Sequence, residues 1–162
     1  MKQETYIKIS EFVRKYPHGE SIVKYANNII TGVVYMAYFV ILIFLAVNRD
    51  ERVIRIVLVT GISFILVSIF RYVVDAPRPY TLYEFKPVVK KEKTGQSMPS
   101  RHVFSATTIA MFTLLLNPWL GGTMLFLAAI LAILRVLGGV HYPSDVLAGY
   151  VIGILVGLLL YL

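Results

Sequence analysis

The 162-residue chain contains no cysteine, which excludes a disulfide, a thiolate nucleophile and a cysteine-ligated metal. Charge is also scarce: Asp, Glu, Lys and Arg make up 15% of the sequence, where a soluble domain carries roughly 25%. Acidic side chains are the scarcest, nine against sixteen basic ones, and histidine occurs three times. The formal charge of +7 suits a polyanion, but with 57% hydrophobic residues too little soluble surface remains for a domain that reads nucleic acid. Anionic lipid head groups match that charge better. The alternating segments that a transmembrane barrel requires are missing as well.

Five apolar runs are present instead. The first, Ile29 to Val47, carries no charge and is long enough to cross a bilayer. The polar turn NRDER separates it from a second run, Val53 to Val74, that has Arg55 near its start and Arg71 near its end. A third run follows His102 to Leu116 and is short for a full span; Asn117 and Pro118 then punctuate the chain. Trp119 to Leu137 and Val146 to Leu162 complete the set. Crossing segments must satisfy their own backbone groups, so helices are expected. The fold class is all-α: a single polytopic membrane helix bundle over residues 1–162, with about five transmembrane helices plus an amphipathic N-terminal helix.

The first 25 residues place Ile7, Phe12 and Val13 among charges, which predicts an interfacial helix lying against the bilayer. The alternative is a solvent-exposed helix packed on the bundle. A signal peptide is not expected, because the first apolar run is too long for an h-region and lacks a small-residue cleavage site. In the last run Gly149, Gly153 and Gly157 recur every fourth residue and form a stripe that lets another backbone approach. Internal packing is its expected use, a homodimer face the alternative; Gly61, Ser63, Ala106 and Ala110 suit the same close approach.

With five crossings, Arg71, Arg78, His102, Arg135, His141 and Asp145 all fall on one membrane face. Ionisable groups kept near hydrocarbon usually mark a site. The segment 75–101 lies on the same face and carries Lys86, Lys90, Lys91 and Lys93, so it reads as a catalytic-face lid or head-group rim, with a plain connector as the alternative. His141 and Asp145 stand four apart at a helix start, where the carboxylate can orient the imidazole and leave its other nitrogen as a nucleophile. A packed histidine at a helix terminus would look the same in sequence. Guanidinium groups at Arg71, Arg78 and Arg135 can grip phosphate oxygens, or can snorkel to head groups and pair with carboxylates. His102 follows Pro99, Ser100 and Arg101 at a helix start, where free N–H groups and the Ser100 hydroxyl favour an anion. There His102 can act as a general acid or serve simply as a cap. No metal site is expected, because the arginines would repel a cation and can supply the stabilisation a metal otherwise gives.

The segments R71-YVVDAP-R78-P79, P99-S100-R101-H102 and L134-R135-VLGGV-H141-YPS-D145 resemble the type 2 phosphatidic acid phosphatase superfamily in order, spacing and membrane setting, over roughly residues 53 to 162. The resemblance implies a metal-independent, cofactor-free hydrolase in which His141 forms a phosphohistidine, Asp145 positions it and His102 is the general acid. It also implies phosphate binding by Arg71, Arg78, Ser100 and Arg135. Arg71 stands where lysine is commoner, Leu134 where serine is usual, and Arg101 in place of the family glycine. Arg101 therefore joins the substrate-phosphate residues, and with the lysine cluster it is expected to favour a diphosphate head group.

The expected substrate is a membrane lipid phosphate or diphosphate, first a prenyl diphosphate such as undecaprenyl diphosphate. Phosphatidylglycerol phosphate or phosphatidic acid comes next. A non-enzymatic protein that binds or transports anionic lipid is the rival class; it explains the basic face but not the paired histidines. The expected location is the bacterial cytoplasmic membrane. The resemblance turns the active face outward, although the positive charges at Lys2, Lys8, Arg14, Lys15 and Lys24 would by themselves turn it inward.

Overall fold

The computed structural model of the protein describes residues 3–89 and 94–161, which leaves Lys90, Lys91 and Lys93 of the lysine cluster outside the described residues. The chain is all-helical: α1 (Gln3–Lys15), α2 (Gly19–Val47), α3 (Arg52–Val74), a one-turn α4 (Pro79–Leu82), α5 (Arg101–Leu116), α6 (Pro118–Leu137) and α7 (Pro143–Leu158), closed by a 3-10 turn over Leu159–Tyr161. Among the described residues, four stretches are long and apolar enough to cross a membrane, Gly19–Val47, Arg52–Leu82, Pro118–Leu137 and Pro143–Tyr161. The fifth expected crossing, α5, has 16 residues and is the shorter apolar helix.

The reason α5 can be short is its position. Every residue from Val103 to Thr113 is buried, including Ser105, Thr107, Thr108 and Thr113. The Thr108 and Thr113 hydroxyls donate to the carbonyls of Phe104 and Ile109 one turn back, at 3.0 and 2.8 Å, so their polarity costs little. α6 and α7 flank α5, while α2 and α3 turn large apolar side chains such as Phe39, Phe44, Ile65 and Phe70 outward, as lipid-facing helices do. Trp119, 88% exposed, begins α6 at the membrane face opposite the expected site, a position favoured by interfacial aromatics.

The glycine stripe is used internally. A Cβ at Gly149 would lie 2.7 Å from the Ser100 carbonyl oxygen, one at Gly153 would lie 2.7 Å from Thr107 Cβ and 2.9 Å from the Phe104 carbonyl, and one at Gly157 would lie 2.2 Å from Met111 Cβ. Only glycine permits α7 to approach α5 so closely. Ala106 and Ala110 are buried on α5 as expected, but Gly61 faces open space and takes no part in close packing.

Two features depart from the hydropathy reading. α2 begins at Gly19, ten residues ahead of the apolar run, and at about 1.5 Å per residue its 29 residues extend about 43 Å, beyond the hydrocarbon. Hydropathy detects where lipid begins, whereas helix hydrogen bonding continues through the polar residues 19–28. The first 25 residues accordingly contain a separate helix, a turn and the start of α2. α1 packs Tyr6 and Val13 against protein, with Gln3 donating to the Tyr83 carbonyl at 3.0 Å and Arg14 to the Lys86 carbonyl at 2.8 Å. It straps the 75–101 segment, while Phe12 stays exposed.

Gly149→Ala should cost about 1–3 kcal/mol through overpacking and reduce whatever turnover the expected site supports, because the clash falls on Ser100 at the start of α5. Gly61→Ala should change neither. Thermal denaturation and turnover in detergent, run on both variants, test the contrast; equal behaviour would show that the close approach is not required.

Candidate active site

The turn between α6 and α7 is set by local sequence. Gly139 adopts φ 72°, and a Cβ there would meet the Phe85 ring at 2.9 Å, so the position demands glycine twice over. Val140, His141 and Tyr142 follow, and Pro143 opens α7 with a fixed φ and no N–H to satisfy. Asp145, in the first turn, accepts a hydrogen bond from the Tyr142 N–H at 3.0 Å, which returns its carboxylate toward His141. His141 Nδ1 lies 3.4 Å from Asp145 Oδ2. A carboxylate can only accept, which assigns the imidazole proton to Nδ1 and leaves Nε2 with its lone pair.

Ser97 completes the group. Its hydroxyl donates to the same Asp145 oxygen at 2.5 Å and lies 3.5 Å from His141 Nδ1. All three side chains are buried, His141 at 1% exposure. Burial pushes the His141 pKa down, with the Arg135 and Arg78 charges acting in the same direction against the pull of Asp145, so its surroundings favour the neutral imidazole.

Around His141 the structure brings together the side chains from four parts of the chain. Arg71, Arg78, Gln96, Arg101, His102, Arg135 and His141 wall a cavity of about 150 Å³. Arg71, in the last turn of α3, donates Nη1 to the Ser97 and Pro99 carbonyls and Nη2 to the Gln96 carbonyl. It therefore holds the loop in shape as well as walling the cavity. Arg78 caps the start of α4 and donates from Nε to the Gly95 carbonyl at 3.0 Å and from Nη1 to the Val140 carbonyl at 3.4 Å. Arg135, 2% exposed, donates from Nη1 to Asn27 Oδ1 at 3.2 Å, and its Nε has no protein partner among the described residues.

His102 and Arg101 open α5, and Arg101 stacks over the Phe64 ring at 5.3 Å. Ser100 is buried just before them and gives its backbone N–H to the Asp145 carbonyl at 2.9 Å; its Oγ has no protein partner among the described residues. Ser100 and Asp145 stand behind the cavity wall rather than on it. All eight residues expected from the sequence thus converge, six on the wall and two supporting it.

Three contributors went unseen in the sequence. Ser97 lies outside the recognised segments, and its role follows only from the loop folding back, with its N–H on the Ala76 carbonyl at 2.9 Å. Tyr6, fully buried, donates its hydroxyl to the His141 carbonyl at 3.2 Å and stacks on Phe85 at 5.4 Å. Burial pushes its phenol above the ordinary value, so it remains a donor. Asn27 carries the one available signal, a polar pair with Asn28 at the border of an apolar run.

The side chains of the cavity wall lie within the region that comparison with known proteins matches. The PAP2 superfamily profile covers residues 52–162. Over 112 residues the chain is 31% identical to the undecaprenyl-diphosphatase of Sulfolobus acidocaldarius, a stretch amounting to 67% of this chain and 54% of that protein, so it spans about half of that relative's length. It is 28% identical over 150 residues to the undecaprenyl-diphosphatase BcrC of Bacillus subtilis, covering 89% of this chain and 76% of that one. Aquifex aeolicus LpxE shares its structure with a TM-score of 0.74 at 27% identity, over 98% of this chain and 93% of that chain. A profile match that holds all the helices from α3 onward and the whole cavity wall establishes that this multi-pass membrane protein belongs to the PAP2 superfamily.

Proposed function

We propose that the protein hydrolyses the phosphate or diphosphate ester of a membrane lipid without a metal, through a phosphohistidine on His141. One observation carries this reading: a buried imidazole beside Asp145, whose carboxylate also holds Ser97, faces a cavity walled by four guanidinium groups at the end of the membrane helices. A cation would be repelled there, whereas a phosphoryl group finds both its nucleophile and its counter-charge.

In the proposed reaction His141 Nε2 forms a bond to phosphorus as the bond from phosphorus to the departing oxygen breaks. His102 gives that oxygen its proton. Water then attacks the phosphohistidine, His102 takes a proton from it, and inorganic phosphate leaves with His141 restored. Arg71, Arg78, Arg101 and Arg135 neutralise charge on the non-bridging oxygens, while Asp145 and Ser97 keep the imidazole oriented. Ser100 supports this from the start of α5 by fixing the Asp145 backbone. A prenyl diphosphate such as undecaprenyl diphosphate is the favoured substrate, supported by two relatives named for that activity. The active face is proposed to point away from the cytoplasm.

Phosphate release from a prenyl diphosphate in detergent should persist in EDTA and fall at least about a thousandfold in His141→Ala. Activity that disappears in EDTA, or that survives the substitution, contradicts the mechanism. Because burial lowers the His141 pKa, its imidazole, identified as the signal lost in His141→Gln, should keep its neutral nitrogen-15 signature at about pH 5.5, below the ordinary histidine value near 6.5. Protonation of that imidazole in wild type at the same pH would contradict the lowered value. Lys86→Cys introduces a single exposed thiol on the catalytic-face segment, and a membrane-impermeant reagent should label it in intact cells. Labelling only after the membrane is opened would place the active face in the cytoplasm.

A further inference from the structure

A second cavity, of about 680 Å³, adjoins the first and shares two of its walls, His102 and Arg135. Its far wall is the polar beginning of α2, where Glu20, Lys24, Asn27, Asn28 and Thr31 recur at helical spacing along one side of an open cavity, Asn27 buried and Glu20, Lys24 and Asn28 exposed at its mouth. Val88 and Val89 close it from the catalytic-face segment, held there by the Val89 N–H on the Gly138 carbonyl at 3.1 Å. The cavity reaches Gly32, beyond Ile29 where the apolar run begins, so it straddles the border between polar head groups and hydrocarbon.

Its charges are unevenly matched. Glu20 is paired with Arg14 at 2.6 Å, which leaves Lys24 as the uncompensated side chain of the α2 wall. Arg135 reaches the same space with a buried, unpartnered Nε while its Nη1 is held by Asn27. Lys24 and Arg135, with the uncharged polar side chains of Ser21, Asn27, Asn28 and Thr31, thus surround a space large enough for a head-group fragment, outside the small cavity where His141 stands.

The position of His102 decides what that fragment is. In-line displacement sends the departing group away from the attacking nitrogen, and the acid that protonates it must stand on the departing side. His141 walls the small cavity alone, whereas His102 walls both. The departing group therefore extends past His102 into the second cavity. We infer that this cavity is the leaving-group subsite, and that Lys24, with Asn28 and Thr31, binds the phosphate that remains on the lipid when a lipid diphosphate is cleaved. The inference rests on the phosphatase reading above and specifies its substrate class.

The atoms balance with no further reactant. His141 Nε2 bonds to the terminal phosphorus, the bond from that phosphorus to the bridging oxygen breaks, and lipid monophosphate departs with the bridging oxygen and the proton from His102. Negative charge builds on this departing phosphate, where Lys24 stabilises it. In a lipid monophosphate the departing oxygen belongs to an alcohol, and Lys24 has no anion to hold. Arg101 walls the small cavity and stacks over Phe64, and it does not line the second cavity. Selection of a diphosphate is thereby moved from Arg101 to α2.

Farnesyl diphosphate and farnesyl monophosphate, with identical tails, provide the test. In Lys24→Ala the ratio of kcat/KM for the diphosphate to that for the monophosphate should fall at least about tenfold, the loss expected for one charge-assisted contact. Lys24→Arg should restore most of it. Lys15→Ala, which removes an exposed positive charge from α1 outside the cavity, should leave the ratio unchanged. Equal proportional losses on both substrates, or the same shift in Lys15→Ala, would overturn the subsite while leaving the phosphatase reading intact. No phosphate release by wild type from either substrate would overturn both.

Discussion

The whole site depends on the close approach of α7 to α5. Three glycines spaced by four bring the α7 backbone against Ser100, Phe104, Thr107 and Met111, and the Ser100 N–H then reaches the Asp145 carbonyl at 2.9 Å. That contact aligns two helix starts. One carries Arg101 and His102, the other follows directly on His141 and carries Asp145. A wider separation, which any larger residue at Gly149 or Gly153 would impose, would pull His102 away from His141. Packing between helices in a membrane gains little from hydrophobicity, so small residues and backbone contact must supply the precision.

The cluster of guanidinium groups is costly, since burial and mutual repulsion oppose it. The chain offsets this with neutral acceptors, backbone carbonyls and one side-chain amide. Arg71 bonds to three loop carbonyls, Arg78 to two others and Arg135 to Asn27. These bonds satisfy part of each buried cation, and those of Arg71, of Arg78 to Val140 and of Arg135 also tie separate parts of the chain together: the 75–101 segment to α3 and to the turn before α7, and α2 to α6. The site and the loop fold are therefore one network, in which a phosphate ligand would lower the remaining repulsion.

α1 gives this network an outer clamp. Tyr6 reaches the His141 carbonyl, and Gln3 and Arg14 bond to carbonyls on either side of Phe85. An amphipathic pattern announces an apolar face without naming what covers it: sequence shows the helix, and only the structure shows that it straps the 75–101 segment while Ile7, Phe12 and Tyr16 stay exposed. The same limit concealed the start of α2. Its polar residues 19–28 lie outside any hydropathy window, yet they supply Asn27 to Arg135 and Lys24 to the neighbouring cavity.

Residue kind and run length by themselves determined the helical bundle, the number of apolar segments and the convergence of Arg71, Arg78, His102, Arg135, His141 and Asp145 on one face. These follow from local chemistry: hydrocarbon selects apolar helices, and an odd number of crossings fixes which ends meet. Tertiary structure alone decided the partnerships. Ser97 on Asp145, Tyr6 on the His141 carbonyl and Asn27 on Arg135 join residues 48, 135 and 108 positions apart, and nothing local distinguishes those side chains from ordinary polar surface. Hydrogen bonds are directional and short, so such partners can be chosen only once packing has brought the backbones within reach.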